Sequence, residues 1–143
     1  AEIEGSSTMS AEELEKLAKE MEENPQLDAY LVQNLNENPT LPLATAEFDA
    51  VICTVSVQYM TKPLATFREV NRVLKPGGVF VVSFSNRCFP TKAIAAWQAL
   101  DDAGHAALIE SYLRDAGNYR QIETLDRSPR GSDPLFAVIA RAA

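Results

Sequence analysis

The sequence predicts an α/β fold with a mainly parallel sheet and a C-terminal antiparallel hairpin. Three observations carry that reading. Residues 50–56, AVICTVS, and 79–85, VFVVSFS, are apolar and rich in β-branched side chains on both faces, as strands covered by helices on each side require. Between them Leu64, Phe67, Val70 and Leu74 recur at helical spacing, so strand, helix and strand form a crossover unit that favours the right hand. Finally, QIETLD (121–126) and PLFAVIARA (134–142), joined by RSPRGSD, read as two closing strands.

Taken in order, residues 1–10, AEIEGSSTMS, form a polar segment expected to be flexible, and residues 11–143 a single domain. Ser10 and Glu13 have the S-x-x-E spacing of a capping box, which predicts a helix over 11–23. Leu14, Leu17 and Met21 make its apolar stripe, and its glutamates face water. Asn24-Pro25 ends it, because proline cannot continue the hydrogen-bond ladder. YLVQNL (30–35) is read as a short strand and NENPTLPLATAE (36–47) as a connection. Pro63 suits the first turn of the central helix. Pro76-Gly77-Gly78 is expected to stop that helix and turn the chain. A long helical region is expected over 91–115, broken near Gly104.

The chain has 143 residues, 46% of them hydrophobic, enough for one core. Its formal net charge of −7 lacks the clustered cations of a nucleic-acid binder, so no nucleic-acid partner is expected. Cys53 and Cys88 have no zinc-ligand spacing and read as reduced thiols in or near the core. No apolar run approaches the roughly 18 residues of a membrane span, which leaves peripheral association open.

FDAV leading a strand, REVNRVLKPGG ending the next helix, and VFVVSFSNRCFPTKAIAAW behind it are the residues on which the chain resembles a family. That family is the class I S-adenosylmethionine-dependent methyltransferases of type 11. NPQLDAYLVQNLNENPTLPL (24–43) is similar to the approach to the adenine pocket in a cyanobacterial and plastid subgroup, which favours a plastid over a cytoplasmic location. The resemblance implies a truncated Rossmann-like methyltransferase fold. Five of the family's seven strands have counterparts, and the first two, with the glycine-rich motif I and the ribose-binding acid, have none. None of the six glycines forms G-x-G between a strand and a helix.

What remains of a cofactor site, by this resemblance, is vestigial: Asn34 and Leu35 on the adenine side, and Thr54, Ser56 and Tyr59 in the loop after strand 50–56. Asn34 stands where the family usually has Asp. No cofactor is expected in this chain alone, and S-adenosylmethionine is expected if the site is completed. No catalytic residue and no metal ligand is assigned. Ser83, Ser85, Asn86 and Arg87 end the second strand, where ligand contacts and turn-forming roles are both open. Tyr59 reads first as a rim aromatic, His105 as a surface residue on a helix, and Asp49 as a structural strand-leading residue.

The missing strands would leave 50–56 as an open apolar edge, the kind of strand that invites pairing. The expected partner is therefore another protein chain or a second copy, unless YLVQNL pairs beside it. The function expected is a degenerate, non-catalytic methyltransferase-like scaffold or accessory subunit of a larger assembly. The alternative is a methyltransferase whose cofactor site is completed by another chain or by an N-terminal half.

Overall fold

A computed structural model describes residues 10–86 and 93–143. Helix α1, Ala11–Glu22, begins at the expected capping box, with Ser10 Oγ accepting from the Glu13 N–H at 3.2 Å and Glu13 Oε2 accepting from the Ser10 N–H at 2.9 Å. Then come β1 (Phe48–Thr54), a 3-10 turn (Val57–Tyr59), α2 (Pro63–Val73), β2 (Leu74–Phe84), α3 (Ala95–Gln98), α4 (Asp102–Ala116), β3 (Tyr119–Asp126) and β4 (Phe136–Ala142). The readings of residues 1–9, Arg87, Cys88 and the first part of the 91–115 helix lie outside the described residues.

The four strands form one mixed sheet in the order β1-β2-β4-β3. β1 and β2 are parallel, and β4 is antiparallel to both β2 and β3, which makes the expected C-terminal hairpin. Along β2 the side chains alternate, as a strand's period of two demands. Phe80, Val82 and Phe84 are buried, and Val79, Val81 and Ser83 are half-buried. The buried row meets Val138 and Ala140 of β4, Phe67 and Val70 of α2, Ile109 and Leu113 of α4, and Trp97 of α3. Phe67 sets its ring edge-on to Phe80 at 5.0 Å and to Tyr112 at 5.8 Å. Burying one such ring stabilises the fold by about 1.5–3 kcal/mol, so one face of the sheet carries the core.

Four expectations are corrected. YLVQNL is not a strand and does not cover β1. Asn34 Oδ1 accepts the Asn36 N–H at 3.0 Å and folds the chain into a turn, an alternative that asparagine side chains offer to sheet pairing. The parallel part of the sheet is therefore the single β1–β2 pair. Pro76-Gly77-Gly78 does not stop the helix, which already ends at Val73, and β2 runs through it from Leu74. Gly77 takes φ 81°, and a Cβ on Gly78 would stand 2.8 Å from the Lys75 carbonyl oxygen, so the strand tolerates this stretch because both residues are glycine.

The third correction concerns the break in the long helix, which falls before Gly104. Asp101 is the N-cap of α4, and its Oδ1 accepts the Gly104 N–H at 2.8 Å. The fourth concerns His105, which is buried rather than on the surface. Its ring stacks on Trp97 at 3.7 Å with 3° between planes, Nε2 lies 2.7 Å from the Trp97 carbonyl oxygen, and Phe84 stands edge-on at 6.0 Å. The imidazole fills the space between α3 and β2, which an exposed position would leave open.

Residues 41–47 lie along α2 through one side-chain cluster. Glu69 accepts the Leu41 N–H at 3.0 Å, and Arg72 donates to the Leu41 carbonyl at 3.0 Å, to Thr45 Oγ1 at 3.1 Å and from Nε to Glu69 at 3.0 Å. The Ala46 and Glu47 N–H groups then donate to the Arg72 and Val73 carbonyls. This cluster delivers the chain into β1.

Candidate ligand site at the carboxyl end of the sheet

Open α/β sheets gather ligand-binding groups beyond the carboxyl ends of their parallel strands. Here that end belongs to β1 and β2. β1 stops at Thr54, which is exposed, and Val55 follows with φ 49° while its N–H donates to the Ser83 carbonyl at 2.9 Å. A β-branched residue in the left-handed region costs roughly 1–3 kcal/mol. The turn is strained. Ser56 Oγ lies 3.3 Å from Cys53 Sγ. Burial pushes the Cys53 thiol above its ordinary range, and the Ser56 contact works against that shift.

The loop is pinned from three sides. Ser83 holds Val55, the Ile94 N–H donates to the Gln58 carbonyl at 3.0 Å, and Asn36 bridges from the preceding turn. Asn36 Nδ2 donates to the Tyr59 carbonyl at 3.0 Å, and its Oδ1 accepts the Thr61 N–H at 2.9 Å. Val57 and Met60 are buried in the main core, and Tyr59 is half-buried against it. Through Asn36 the 34–36 turn is joined to Tyr59 and Thr61, while Asn34 and Leu35, the expected adenine-side residues, face their own turn and a separate apolar cluster. Their own side chains are engaged: Asn34 Oδ1 in its turn, and Leu35, only 1% exposed, with Leu41 and Val73.

At the end of β2, Ser83 is half-buried and Ser85 Oγ donates to the Pro134 carbonyl at 2.6 Å, which ties the strand end to the hairpin. Asn86 is exposed. Asp49 sits at the opposite end of β1, exposed, in an ion pair with Lys75 at 3.3 Å. No cluster of His, Cys, Asp and Glu suited to a metal ion occurs among the described residues.

Two residues of the site escaped sequence reasoning. Asn36 was hidden in the run NLNEN, although closely spaced asparagines signal side-chain-stabilised turns. Gln58 was the one long polar side chain in VSVQYM. It is 0% exposed, and both its Nε2 and its Oε1 lack a hydrogen-bond partner among the described residues. A buried polar group left unpaired costs about 1–3 kcal/mol, which makes Gln58 the costliest polar group in the loop. Residues 54–60 carry no charged side chain, so the loop offers neutral groups only.

The family model described as a methyltransferase domain matches residues 6–82, more than half of the chain. The chain is 35% identical over 65 residues to malonyl-[acyl-carrier protein] O-methyltransferase of Marinomonas sp. (strain MWYL1), covering 46% of this chain and 24% of that protein. It spans between 13% and 32% of the length of the curated relatives it matches. Among solved structures, it aligns with a chain of the Haloferax volcanii complex between the Trm112 methyltransferase activator and a methyltransferase. The TM-score there is 0.64 at 18% identity, over 98% of this chain and 69% of that one. Phosphoethanolamine N-methyltransferase 2 of Haemonchus contortus, in complex with S-adenosyl-L-methionine, aligns with a TM-score of 0.58 at 16% identity, over 98% of this chain and 42% of that one. At such identities the likeness to the solved structures is one of fold.

Proposed function

The chain belongs to the methyltransferase domain family, and from that premise we propose that it contributes the strand-end half of an S-adenosylmethionine site, completed by a further polypeptide segment across the open edge of β1. The observation that carries this reading is the loop after β1, where Val55 is held in the left-handed region and Gln58 is buried with its amide unmet among the described residues. Costs of this kind cluster at ligand sites. Among the described residues β1 pairs with β2 on one side only, so its other edge lies next to the same loop and offers the completing segment a place to pair.

The fit to the cofactor is half complete. In the bound state S-adenosylmethionine supplies an electrophilic methyl group. From this chain, Thr54 and Ser56 supply hydroxyls at the strand end, Gln58 a neutral amide and Tyr59 an aromatic flank. The adenine side fits less well, because Asn34 Oδ1 and Leu35 serve the fold and no G-x-G turn stands between a strand and a helix. Methyl transfer by this chain on its own is therefore not expected.

The engagement of Asn34 and Leu35 favours a second reading, in which the domain is a non-catalytic scaffold or accessory subunit that binds its partner through β1. The H. volcanii complex offers a precedent in which a methyltransferase is held by another protein. No helix among the described residues is long and apolar enough to cross a membrane. The resemblance of residues 24–43 is the support for a plastid location.

Isothermal titration of the full chain with S-adenosylhomocysteine, with solution mass measured on the same sample, separates the two readings. Binding in the micromolar range by a dimer or larger species, in which a second copy supplies the completing segment across β1, is the expected result. A folded chain that binds nothing at millimolar ligand overturns the half-site and leaves the scaffold.

A further inference from the structure

The Gln58 amide has more to say about the ligand than the rest of the loop. Its main chain cannot relieve it by local motion, because Val55, Gln58 and Tyr59 are each fixed by a bond to a different element, β2, the segment before α3, and the 34–36 turn. A carboxamide carries a donor on Nε2 and an acceptor on Oε1, and both are without a partner among the described residues. A phosphate or carboxylate supplies acceptors only and leaves Oε1 unmet. An ammonium supplies donors only and leaves Nε2 unmet. One ligand group meets both when it sets a donor and an acceptor side by side on a planar edge. The absence of charge over residues 54–60 favours an edge that is neutral at physiological pH.

Resting on the half-site reading above, we propose that Gln58 is a specificity-determining residue that recognises the neutral donor–acceptor edge of a planar ligand. A purine base carried by the methyl donor and a primary carboxamide carried by the methyl acceptor both present this edge. Gln58 is 0% exposed in this structure, so the ligand enters only as the packing around Val57 and Met60 opens. Association then has a phase whose rate stops rising with ligand concentration.

The test uses the full chain, titrated separately with adenosine, S-adenosylhomocysteine and benzamide, together with Gln58→Met, which keeps the length of the side chain and removes its hydrogen bonding. The expected result is a Gln58→Met chain that melts at or above the wild-type temperature and binds adenosine or benzamide at least tenfold more weakly. In wild type, the Gln58 side-chain NH₂ resonances shift on binding, a readout that requires no folded variant. Adenosine binding assigns the edge to the donor's base, and benzamide binding assigns it to an acceptor amide. A lower melting temperature for Gln58→Met, equal binding by the variant, unmoved NH₂ resonances or silence from both adenosine and benzamide would each overturn the proposal. S-adenosylhomocysteine binding unaffected by Gln58→Met removes the Gln58 assignment and keeps the half-site. Benzamide binding lost in Gln58→Met, with S-adenosylhomocysteine silent, keeps Gln58 and removes the half-site.

Discussion

The two edges of the sheet differ in how they meet solvent. At β3, Gln121 takes φ 53° and the register shifts between Arg120 and Glu123, so the strand is bulged, and Arg120, Glu123 and Asp126 put charge along it. Thr124 also donates to Glu110 of α4 at 2.7 Å, bracing that edge against a helix. These are the devices by which natural sheets discourage pairing. β1 has few of them. Its register shift is confined to the Phe48–Ala50 end, no charge lies between Asp49 and Thr54, and Ile52 is 62% exposed. Among the described residues, one edge of the sheet is defended against pairing and the other hardly at all, which is the contrast on which the proposed pairing through β1 rests.

The comparison can be broken at its common support. Phe84 lies on β2, one strand in from β1, with Trp97 edge-on at 5.4 Å and Phe136 stacked at 5.4 Å. Phe84→Ala is expected to cost about 3–5 kcal/mol of stability and to loosen both edges together, which denaturant titration reads directly. A loss below about 1 kcal/mol would mean that the edges do not share one core.

A sharper cut comes from Ile52→Lys. Its side chain is largely in solvent, so stability should move by no more than about 0.5 kcal/mol. Association through β1 should weaken at least tenfold, about 1.4 kcal/mol, as measured by light scattering or by loss of partner binding. Glu123→Lys on the opposite edge is the control, expected to leave the mass unchanged. If both variants, or neither, alter association, the contrast between the edges fails.

The smallest expected effect concerns the approach to β1. The hydrogen bond from Arg72 holds the Glu69 carboxyl below its usual range, burial opposes the shift, and the Leu41 N–H and the nearby positive charge add to it. A carboxylate depressed in the folded state contributes stability that is fully present above its unfolded value of ~4.3. That contribution disappears as the pH falls through the lower, folded value. Wild type is therefore expected to melt above Glu69→Gln at about pH 6 and to converge with it as the pH falls toward about 3. A gap that stays constant over that range would show that the ionised form is not what matters.

What was legible in the sequence followed periodicity. α2 repeats apolar residues at helical spacing, β1 and the core of β2 are apolar, β-branched runs, and tertiary packing reinforced both signals. Residues 30–35 were misread because strand propensity in YLVQNL competes with asparagine side chains that bond their own backbone, and the backbone bonds won. His105 was misread because helix periodicity does not reveal that Trp97, eight residues earlier, waits as a stacking partner. Of the candidate site residues, Tyr59 is tied to the 34–36 turn only through Asn36, which no periodicity singles out, and the unmet amide of Gln58 becomes visible only with burial. Local pattern carries no information about which polar atoms lack partners.

The free edge of β1 also has a signature in time. The bond from the Val55 N–H to the Ser83 carbonyl sets the alternation along the parallel pair. The amides of Val51 and Cys53 therefore turn toward β2, while those of Ile52 and Thr54 turn outward. Amide hydrogen exchange along this strand should then alternate between slow and fast with a period of two. A partner strand seated on the edge would slow the outward set and leave the inward set unchanged, so that the strand itself reports whether it is occupied.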